Sequence, residues 1–306
     1  MPRYGIAQKH LTKLIDYSTE EIFELLYATK AMKDKFIAHE DTRILSGVTV
    51  AMLFADASMR TRSALEIGIR QLGGDCIDLP YSEKDMLAGE NITDIVNIIA
   101  RYGVGALVTR GINQRSLDDY VAVSPIPIIN STNDEYDPLQ AIGDLYTIWE
   151  KKHVLEGLRV AYLGKSTAAA ASLIAGAVKC GMDVAVAAPS EFSIKKEQID
   201  SVEQYGSILL TDDPYLAVKN ADIVYTDNYN YHTRLSKEEA EILAPYKVNH
   251  SIMSAAAAGA IFMHPLPASR GVEVSADIID GKQSAVLEQA ENKLHTIKAL
   301  LALLVN

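Results

Sequence analysis

The spacing of apolar and polar residues predicts alternating helices and buried strands in the first half of the chain. The stretch 16–36 has Ser18 and Thr19 ahead of Glu20 and Glu21, followed by apolar residues at helical spacing, which is typical of a capped amphipathic helix. The run GVTVAMLFA at 47–55 is continuously apolar, which indicates a buried strand. Further elements are predicted in chain order: helices over 63–72 and 91–103, and strands over 104–110 and 126–130.

The same alternation begins again in the second half. Helices are predicted over 137–152 and 167–181, and strands over 156–165, 182–189, 221–227 and 260–267. Strands that alternate with helices are typical of parallel sheets covered on both faces. Two units of about 140 residues fit the size of ordinary domains better than one very large sheet does. We therefore expect an α/β fold with two doubly wound parallel-sheet domains.

Two helices set the predicted domain boundaries. Residues 1–136 form the first domain and residues 153–286 the second, and the long helix 137–152 joins them. The last segment, 287–306, is a strongly apolar helix that needs a partner surface. We expect it to pack back on the first domain.

Composition narrows the class of protein. The chain has 306 residues, 48% of them hydrophobic and 23% charged, which is typical of a globular protein. A net charge of −11 argues against a nucleic-acid partner. The two cysteines fit a reducing compartment, and no signal peptide or membrane-spanning stretch is evident. We expect a cytoplasmic protein without a membrane partner.

The stretch FADASMRTRSALEIG at 54–68 predicts an anion site. It turns from a buried strand into a helix, where unpaired backbone N–H groups and the helix dipole favour negative charge. Ser58 and Thr61 add hydroxyl groups, and Arg60 adds a planar fork suited to phosphate. Arg110 follows another apolar strand, so a shared anion becomes more plausible. The alternative is a solvated helix start whose arginines pair with surface acids such as Glu66.

Other motifs exclude some kinds of site. GKSTAAAAS at 164–172 follows a strand, but a P-loop needs glycine where Arg159 stands, and no dinucleotide G-x-G-x-x-G is present. His264 has no Cys or His at ligand spacing, so we expect no metal. The prolines of HPLP at 264–267 fix the directions of backbone carbonyl groups, which suits the recognition of an amide. The alternative is a rigid loop around a buried histidine.

Taken in order, these motifs resemble the aspartate/ornithine carbamoyltransferase family. The Ser-x-Arg-Thr-Arg signature is matched at 58–62, and Arg110 matches the arginine after a strand. The His-Pro-x-Gln motif is met by DPLQ at 137–140, and His-x-Leu-Pro by HPLP at 264–267. The tail from Ser269 is similar to ornithine and putrescine carbamoyltransferases, enzymes of amino-acid metabolism.

This resemblance implies a reaction and a binding site. The carbamoyl group of carbamoyl phosphate passes to the amino group of a small amine, without a metal or an organic cofactor. The first domain binds carbamoyl phosphate and the second the amine, in a homotrimer with active sites at subunit interfaces. The residues implied in binding carbamoyl phosphate are Ser58, Met59, Arg60, Thr61, Arg110, Gln140, Pro265, Leu266 and Lys293. Those implied in catalysis are Arg60, Arg110, Asp137 and Gln140.

The acceptor amine is less well defined by the resemblance. Asp227 of the ornithine enzymes' loop is kept, but Tyr229 and Tyr231 stand among residues that replace the rest of that loop. The Asn-rich segment is also missing around Thr167, as an acceptor without an α-carboxylate would permit. We expect an ornithine- or putrescine-like amine bound by Asp227, Tyr229, Tyr231 and Thr167. Either the tyrosines face the acceptor, or they are ordinary loop residues. Aspartate is disfavoured because Ala268 replaces an arginine.

Departures from the family pattern raise an alternative function. Asp137 replaces the histidine that donates a hydrogen bond to the carbamoyl oxygen, and Lys293 replaces an arginine. Pro265 stands where the ornithine and putrescine enzymes have cysteine, and Ala88 where many relatives have a basic residue, with Lys84 as a substitute. The alternative is a catalytically impaired trimeric paralogue that binds a phosphate ligand as a sensor or assembly subunit.

Overall fold

The computed structural model describes residues 5–80, 92–230 and 234–305. The predictions made for Lys84, Ala88 and Tyr231 lie outside these residues. The chain divides into two compact units: Met1–Gly143 with Asn292–Asn306, and Asp144–Glu291. Each unit is described by itself below.

The first unit is built on a four-stranded parallel sheet in the order β2-β1-β3-β4. Its elements are α1 (Thr19–Ile37), β1 (Thr49–Phe54), α2 (Met59–Gln71), β2 (Asp75–Leu79), α3 (Ile92–Arg101), β3 (Val104–Arg110), α4 (Gln114–Val123), β4 (Ile128–Thr132) and the start of α5 (Pro138–Lys152). Helix α1 begins as predicted, because Ser18 accepts a hydrogen bond from Glu21 N and the Glu21 side chain accepts one from Ser18 N.

The central strands of this sheet end at the same edge. β1 and β3 are buried along almost their whole length, as their apolar sequences require. Phe54 lies opposite Arg110 in the register, and Ala55 N donates to Arg110 O at 2.9 Å. The turn after β1 and the last residue of β3 are therefore neighbours at the carboxyl end of the sheet.

The second unit holds a five-stranded parallel sheet in the order β7-β6-β5-β8-β9. Its elements after α5 are β5 (Arg159–Leu163), α6 (Ala168–Lys179), β6 (Asp183–Ala187), α7 (Lys196–Asp200), β7 (Ile208–Thr211), α8 (Pro214–Val218), β8 (Ile223–Tyr225), α9 (Lys237–Leu243), α10 (His250–Ala255), β9 (Ile261–Met263), α11 (Ala276–Ile279) and α12 (Val286–Leu304). α6 is buried from Ala169 to Lys179, which explains why its sequence is apolar on every side. None of the described helices is long and apolar enough to cross a membrane.

The second half of α12 belongs to the first unit, whereas its beginning belongs to the second. Lys298 Nζ donates to Gln71 Oε1 at 3.0 Å, and Lys33 Nζ donates to Asn292 Oδ1 at 2.8 Å. A Cβ at Gly68 of α2 would touch Ile297 at 3.4 Å, so the small residue lets the two helices approach closely. The predicted α/β fold with two parallel sheets is confirmed.

Candidate active site

The turn between β1 and α2 has the form of an anion site. Ser58 is the N-cap of α2, and its hydroxyl accepts from Thr61 N at 3.4 Å. Thr61 is buried, whereas Met59 and Arg60 are exposed in the first turn. The first backbone N–H groups of an α-helix lack partners within the helix and favour an anion. The predicted residues Ser58, Met59, Arg60 and Thr61 therefore share one helix start.

The two arginines of the motif have different surroundings. Arg62 forms an ion pair with Asp78 of β2, and its guanidinium lies 5.0 Å from the centre of the Phe54 ring. These contacts tie α2 to β1 and β2, so Arg62 serves the fold of this turn. Arg60 belongs to the exposed first turn of α2 and remains the predicted phosphate ligand.

Arg110 ends β3 and is almost fully buried. Its Nε lies 2.8 Å from Asp56 Oδ1, and its Nη2 donates to Asp56 Oδ2 at 3.3 Å. Asp56 belongs to the turn that precedes Ser58, so the pair holds Arg110 at the strand edge beside the helix start. The ends of β1 and β3 lie side by side, so Arg110 and the start of the helix that carries Arg60 belong to the same edge of the sheet.

Asp137, Gln140 and Lys293 form a second cluster in the first unit. Asp137 precedes α5, and its Oδ1 accepts from Gln140 N at 3.0 Å, so the residue acts as a helix cap. Lys293 Nζ donates to Gln140 Oε1 at 3.1 Å. Burial raises the pKa of the Asp137 carboxyl above its ordinary value, although the charges of Lys293 and Arg110 oppose the rise. In this structure Asp137 therefore acts as an acceptor at the start of α5, and its burial shifts the carboxyl towards a higher pKa.

Thr167 and Asp227 meet in the second unit. Thr167 caps α6, and its hydroxyl donates to Asp227 Oδ2 at 2.7 Å. Asp227 Oδ1 accepts from Asn228 N at 2.7 Å, and Asn228 Nδ2 donates to Pro267 O at 2.7 Å. The segment after β8 is therefore tied to the start of α6 and to the loop after β9. Asp227 carries a partly exposed carboxyl group that suits an amine.

Tyr229 is buried and packs over Gly164, which directly follows β5 and has a φ of +97°. Its hydroxyl lies 3.4 Å from both Thr226 Oγ1 and Leu163 O. A Cβ at Gly164 would overlap the Tyr229 phenol. Tyr229 thus fills space between the β5 turn and the segment after β8.

We expect Gly164→Ala to lower the free energy of unfolding by about 2–4 kcal/mol, because backbone strain adds to the overlap with Tyr229. Gly157→Ala is the matched control, since Gly157 also has positive φ but its Cβ would meet nothing within 4 Å. The control is expected to cost about 1–2 kcal/mol. Denaturant unfolding of both variants measures the difference. Equal losses in the free energy of unfolding would show that Tyr229 moves away from the new methyl group at no energetic cost.

The loop after β9 carries the predicted carbonyl ligands. His264 is fully buried, and its Nδ1 accepts from Leu266 N at 2.9 Å. Leu266 adopts a φ of +54°, an uncommon conformation for a branched residue. A cavity of about 270 Å³ in the second unit is lined in part by Leu266 and Arg270. Pro265 and Leu266 therefore lie on a strained and tightly tied loop.

Comparison with known proteins identifies the family. Residues 9–150 match the family described as "Aspartate/ornithine carbamoyltransferase, carbamoyl-P binding domain", and residues 156–304 match its "Asp/Orn binding domain". The chain belongs to the aspartate/ornithine carbamoyltransferase family. The prediction of a carbamoyltransferase is confirmed, and the alternative of an impaired paralogue finds no support.

Relatives within the carbamoyltransferase family lie in the ornithine branch. The chain is 38% identical to the ornithine carbamoyltransferase of Halalkalibacterium halodurans over 309 residues, covering 98% of this chain and 96% of that protein. It is 37% identical to the anabolic ornithine carbamoyltransferase of Pyrococcus furiosus, covering 98% of each. The solved structure of ornithine carbamoyltransferase from Pyrococcus furiosus superposes with a TM-score of 0.93, covering 97% of this chain and 96% of that one.

Sequence reasoning missed the acids that hold the arginines of this carbamoyltransferase. Asp56 pairs with Arg110, and Asp78 pairs with Arg62. An acid directly after a buried strand, beside a predicted anion site, was the available signal for Asp56. Asp78 carried no such signal, because its strand β2 was not predicted.

Proposed function

We propose that this protein transfers the carbamoyl group of carbamoyl phosphate to the amino group of a small, ornithine-like amine. The observation that carries the proposal is that Arg110 ends β3 beside the turn from β1 to α2, where it pairs with Asp56, two residues before Ser58. Two strand ends supply guanidinium groups there, and the helix start supplies N–H groups, which together suit a phosphate dianion. Membership of the carbamoyltransferase family assigns that phosphate to the donor substrate.

In this proposal the phosphate and the carbamoyl group have different ligands. Ser58, Met59 N–H, Arg60 and Thr61 bind the phosphate, and Arg110 reaches both the phosphate and the carbonyl oxygen. Gln140 and Lys293 bind the carbamoyl group, and the carbonyl groups of Pro265 and Leu266 accept from its amide. Asp137 donates to the carbonyl oxygen when it carries a proton, and its burial raises the pKa in the direction that favours this form.

The acceptor is proposed to bind at Asp227. Its partly exposed carboxyl, held by Thr167, favours a cationic amino group, and a second, neutral amino group of the acceptor attacks the carbamoyl carbon. The C–N bond forms, the bond to the phosphate oxygen breaks, and the attacking amine loses a proton. Positioning and stabilisation of charge on the carbonyl oxygen supply the catalysis.

An assay with a panel of acceptor amines tests this function. Purified protein is supplied with carbamoyl phosphate and a panel of ornithine, putrescine and lysine, and the ureido product is measured. We expect turnover with ornithine or putrescine. Asp227→Asn is expected to raise the KM for the amine about tenfold or more, since a charged hydrogen bond is worth about 1.5–3 kcal/mol. The KM for carbamoyl phosphate should stay the same.

Asp280→Asn is the matched control, because it removes an exposed carboxylate of the second unit that pairs with Arg270. It should leave both KM values unchanged. No ureido product with any amine of the panel would overturn the proposed function. Equal effects of Asp227→Asn on both KM values would overturn the role of Asp227 alone.

The assembly and the compartment are also proposals. The family resemblance supports a homotrimer whose active sites lie at subunit interfaces. The two cysteines, Cys76 and Cys180, form no disulfide, which supports a reducing compartment such as the cytoplasm.

A further inference from the structure

Glu273 is a buried acid that none of the proposed steps uses. Its side chain has no exposed surface, and the residue belongs to the loop that joins β9 to α11. Oε1 accepts a hydrogen bond from Ser269 N and lies 3.4 Å from His264 Nε2. Oε2 has no hydrogen-bond partner among the described residues.

The hydrogen bonds of His264 fix which ring nitrogen carries the proton. Nδ1 accepts from Leu266 N at 2.9 Å, so it has no proton of its own. Nε2 therefore carries a proton; it lies 3.4 Å from Glu273 Oε1 but makes no hydrogen bond among the described residues. The ring lies between the acid on one side and the backbone of Leu266 on the other.

The remaining contacts hold the same loop from other directions. His264 N donates to Gln289 Oε1 at 2.8 Å, and Pro267 O accepts from Asn228 Nδ2 at 2.7 Å. Gln289 Nε2 in turn donates to Asp144 Oδ1 at 2.7 Å. Glu273 thus contacts the two points, His264 and Ser269, that bracket Pro265 and Leu266.

Glu273 also faces the acceptor segment of the second unit. Burial raises the pKa of the Tyr229 phenol, and the charge of Glu273 adds to the rise. The charge of this buried acid is therefore felt at the segment after β8 as well as in its own loop.

Stability alone does not account for a carboxyl group at this place. A buried polar atom without a hydrogen-bond partner destabilises the folded state, and Oε2 is such an atom among the described residues. A glutamine would keep the accepting oxygen without the buried charge. The geometry points to Glu273 as a positioning residue that, through His264 and Ser269 N–H, holds the carbonyl groups of Pro265 and Leu266 in the direction that binds the carbamoyl amide. This inference rests on the proposed function.

The test compares two ligands that differ only in the carbamoyl group. Titration calorimetry measures the Kd of carbamoyl phosphate and of inorganic phosphate for the native protein, Glu273→Ala and Glu273→Gln. In Glu273→Ala the loss of positioning is expected to raise the Kd of carbamoyl phosphate about tenfold or more, since small displacements of binding groups have large effects on affinity. The Kd of inorganic phosphate should change less than about twofold, because it lacks the group that the carbonyls bind. Glu273→Gln should restore most of the affinity for carbamoyl phosphate.

A control and a second readout separate positioning from folding. Asp280→Ala removes an exposed acid that pairs with Arg270, and it should leave both Kd values at the native level. Thermal unfolding of each variant confirms that the protein measured is folded. Parallel changes of both Kd values in a folded Glu273→Ala, or native values of both, would overturn the inference. The proposed function fails separately, if the native protein forms no ureido product.

Discussion

Asp137→Asn is expected to keep carbamoyl transfer within about tenfold of the native rate, whereas Asp137→Ser is expected to lower kcat by about 10²–10³-fold. Asparagine offers an amide N–H donor of the same length and still caps α5. Serine also caps the helix, but its hydroxyl is too short to reach the same point. The two variants therefore separate the donor role of Asp137 from its cap to Gln140 N. Steady-state assays at saturating carbamoyl phosphate measure kcat.

The pH profile gives an independent check on Asp137. A donating Asp137 is lost as the pH rises through its raised pKa, whereas asparagine keeps its N–H donor at every pH. The ratio of kcat in Asp137→Asn to kcat in the native enzyme should therefore grow as the pH rises through that range. Equal losses in the asparagine and serine variants would mean instead that the ionised carboxylate is required. A gain of activity in Asp137→His would favour the family's histidine and an impaired site.

The same ionisation affects stability, with a definite sign. The folded state holds the proton of Asp137 above the ordinary pKa of 3.8, whereas the unfolded chain releases it near that value. Since the folded state binds more protons, stability falls as the pH rises from about 3.8 through the raised pKa. Asp137→Asn removes this dependence, so its stability relative to the native protein should grow over that range.

The sequence predicted the central strands of both sheets, but it missed one edge strand of each. β1, β3 and β5 are short, continuous apolar runs, which are typical of buried strands in a parallel sheet. The edge strands β2 and β7 were missed, because DCIDL and ILLT are short and only partly buried. Edge strands need little apolar surface, since one side of each has no neighbouring strand.

In the candidate site, the sequence predicts the features that depend on neighbouring residues but not the contacts that depend on strand pairing. Strand ends followed by arginine are visible in the sequence, and the topology brings Arg60 and Arg110 to one edge. The acids that orient them are not visible, since Asp56 and Arg110 are 54 residues apart and meet only through the pairing of β1 with β3. Likewise, Lys293 reaches Gln140 only because the end of α12 packs in the first unit. The roles of these residues in binding stay predictions.

Truncation of the two arginines of the SMRTR turn should affect phosphate affinity differently. Arg60→Ala is expected to raise the Kd of carbamoyl phosphate about 10- to 150-fold, since a hydrogen bond to a charged group is worth about 1.5–3 kcal/mol. The Kd of inorganic phosphate should rise by a similar factor, because the guanidinium binds the phosphate group that the two ligands share. Arg60→Lys keeps the charge but loses the planar fork, so its Kd should lie between those of the native protein and the alanine variant. Calorimetric titration measures all of these values.

Arg62→Ala is the matched control, because it removes a guanidinium two residues away that already pairs with Asp78. Its phosphate affinity should stay near the native value, while the free energy of unfolding falls by up to about 1 kcal/mol, the range of a partly exposed ion pair. Equal losses of affinity in Arg60→Ala and Arg62→Ala would mean that the turn acts through its summed positive charge. A loss confined to Arg60→Ala would mean that one guanidinium, directed by the helix start at Ser58, binds the phosphate, and that Arg62 holds the turn in which it does so.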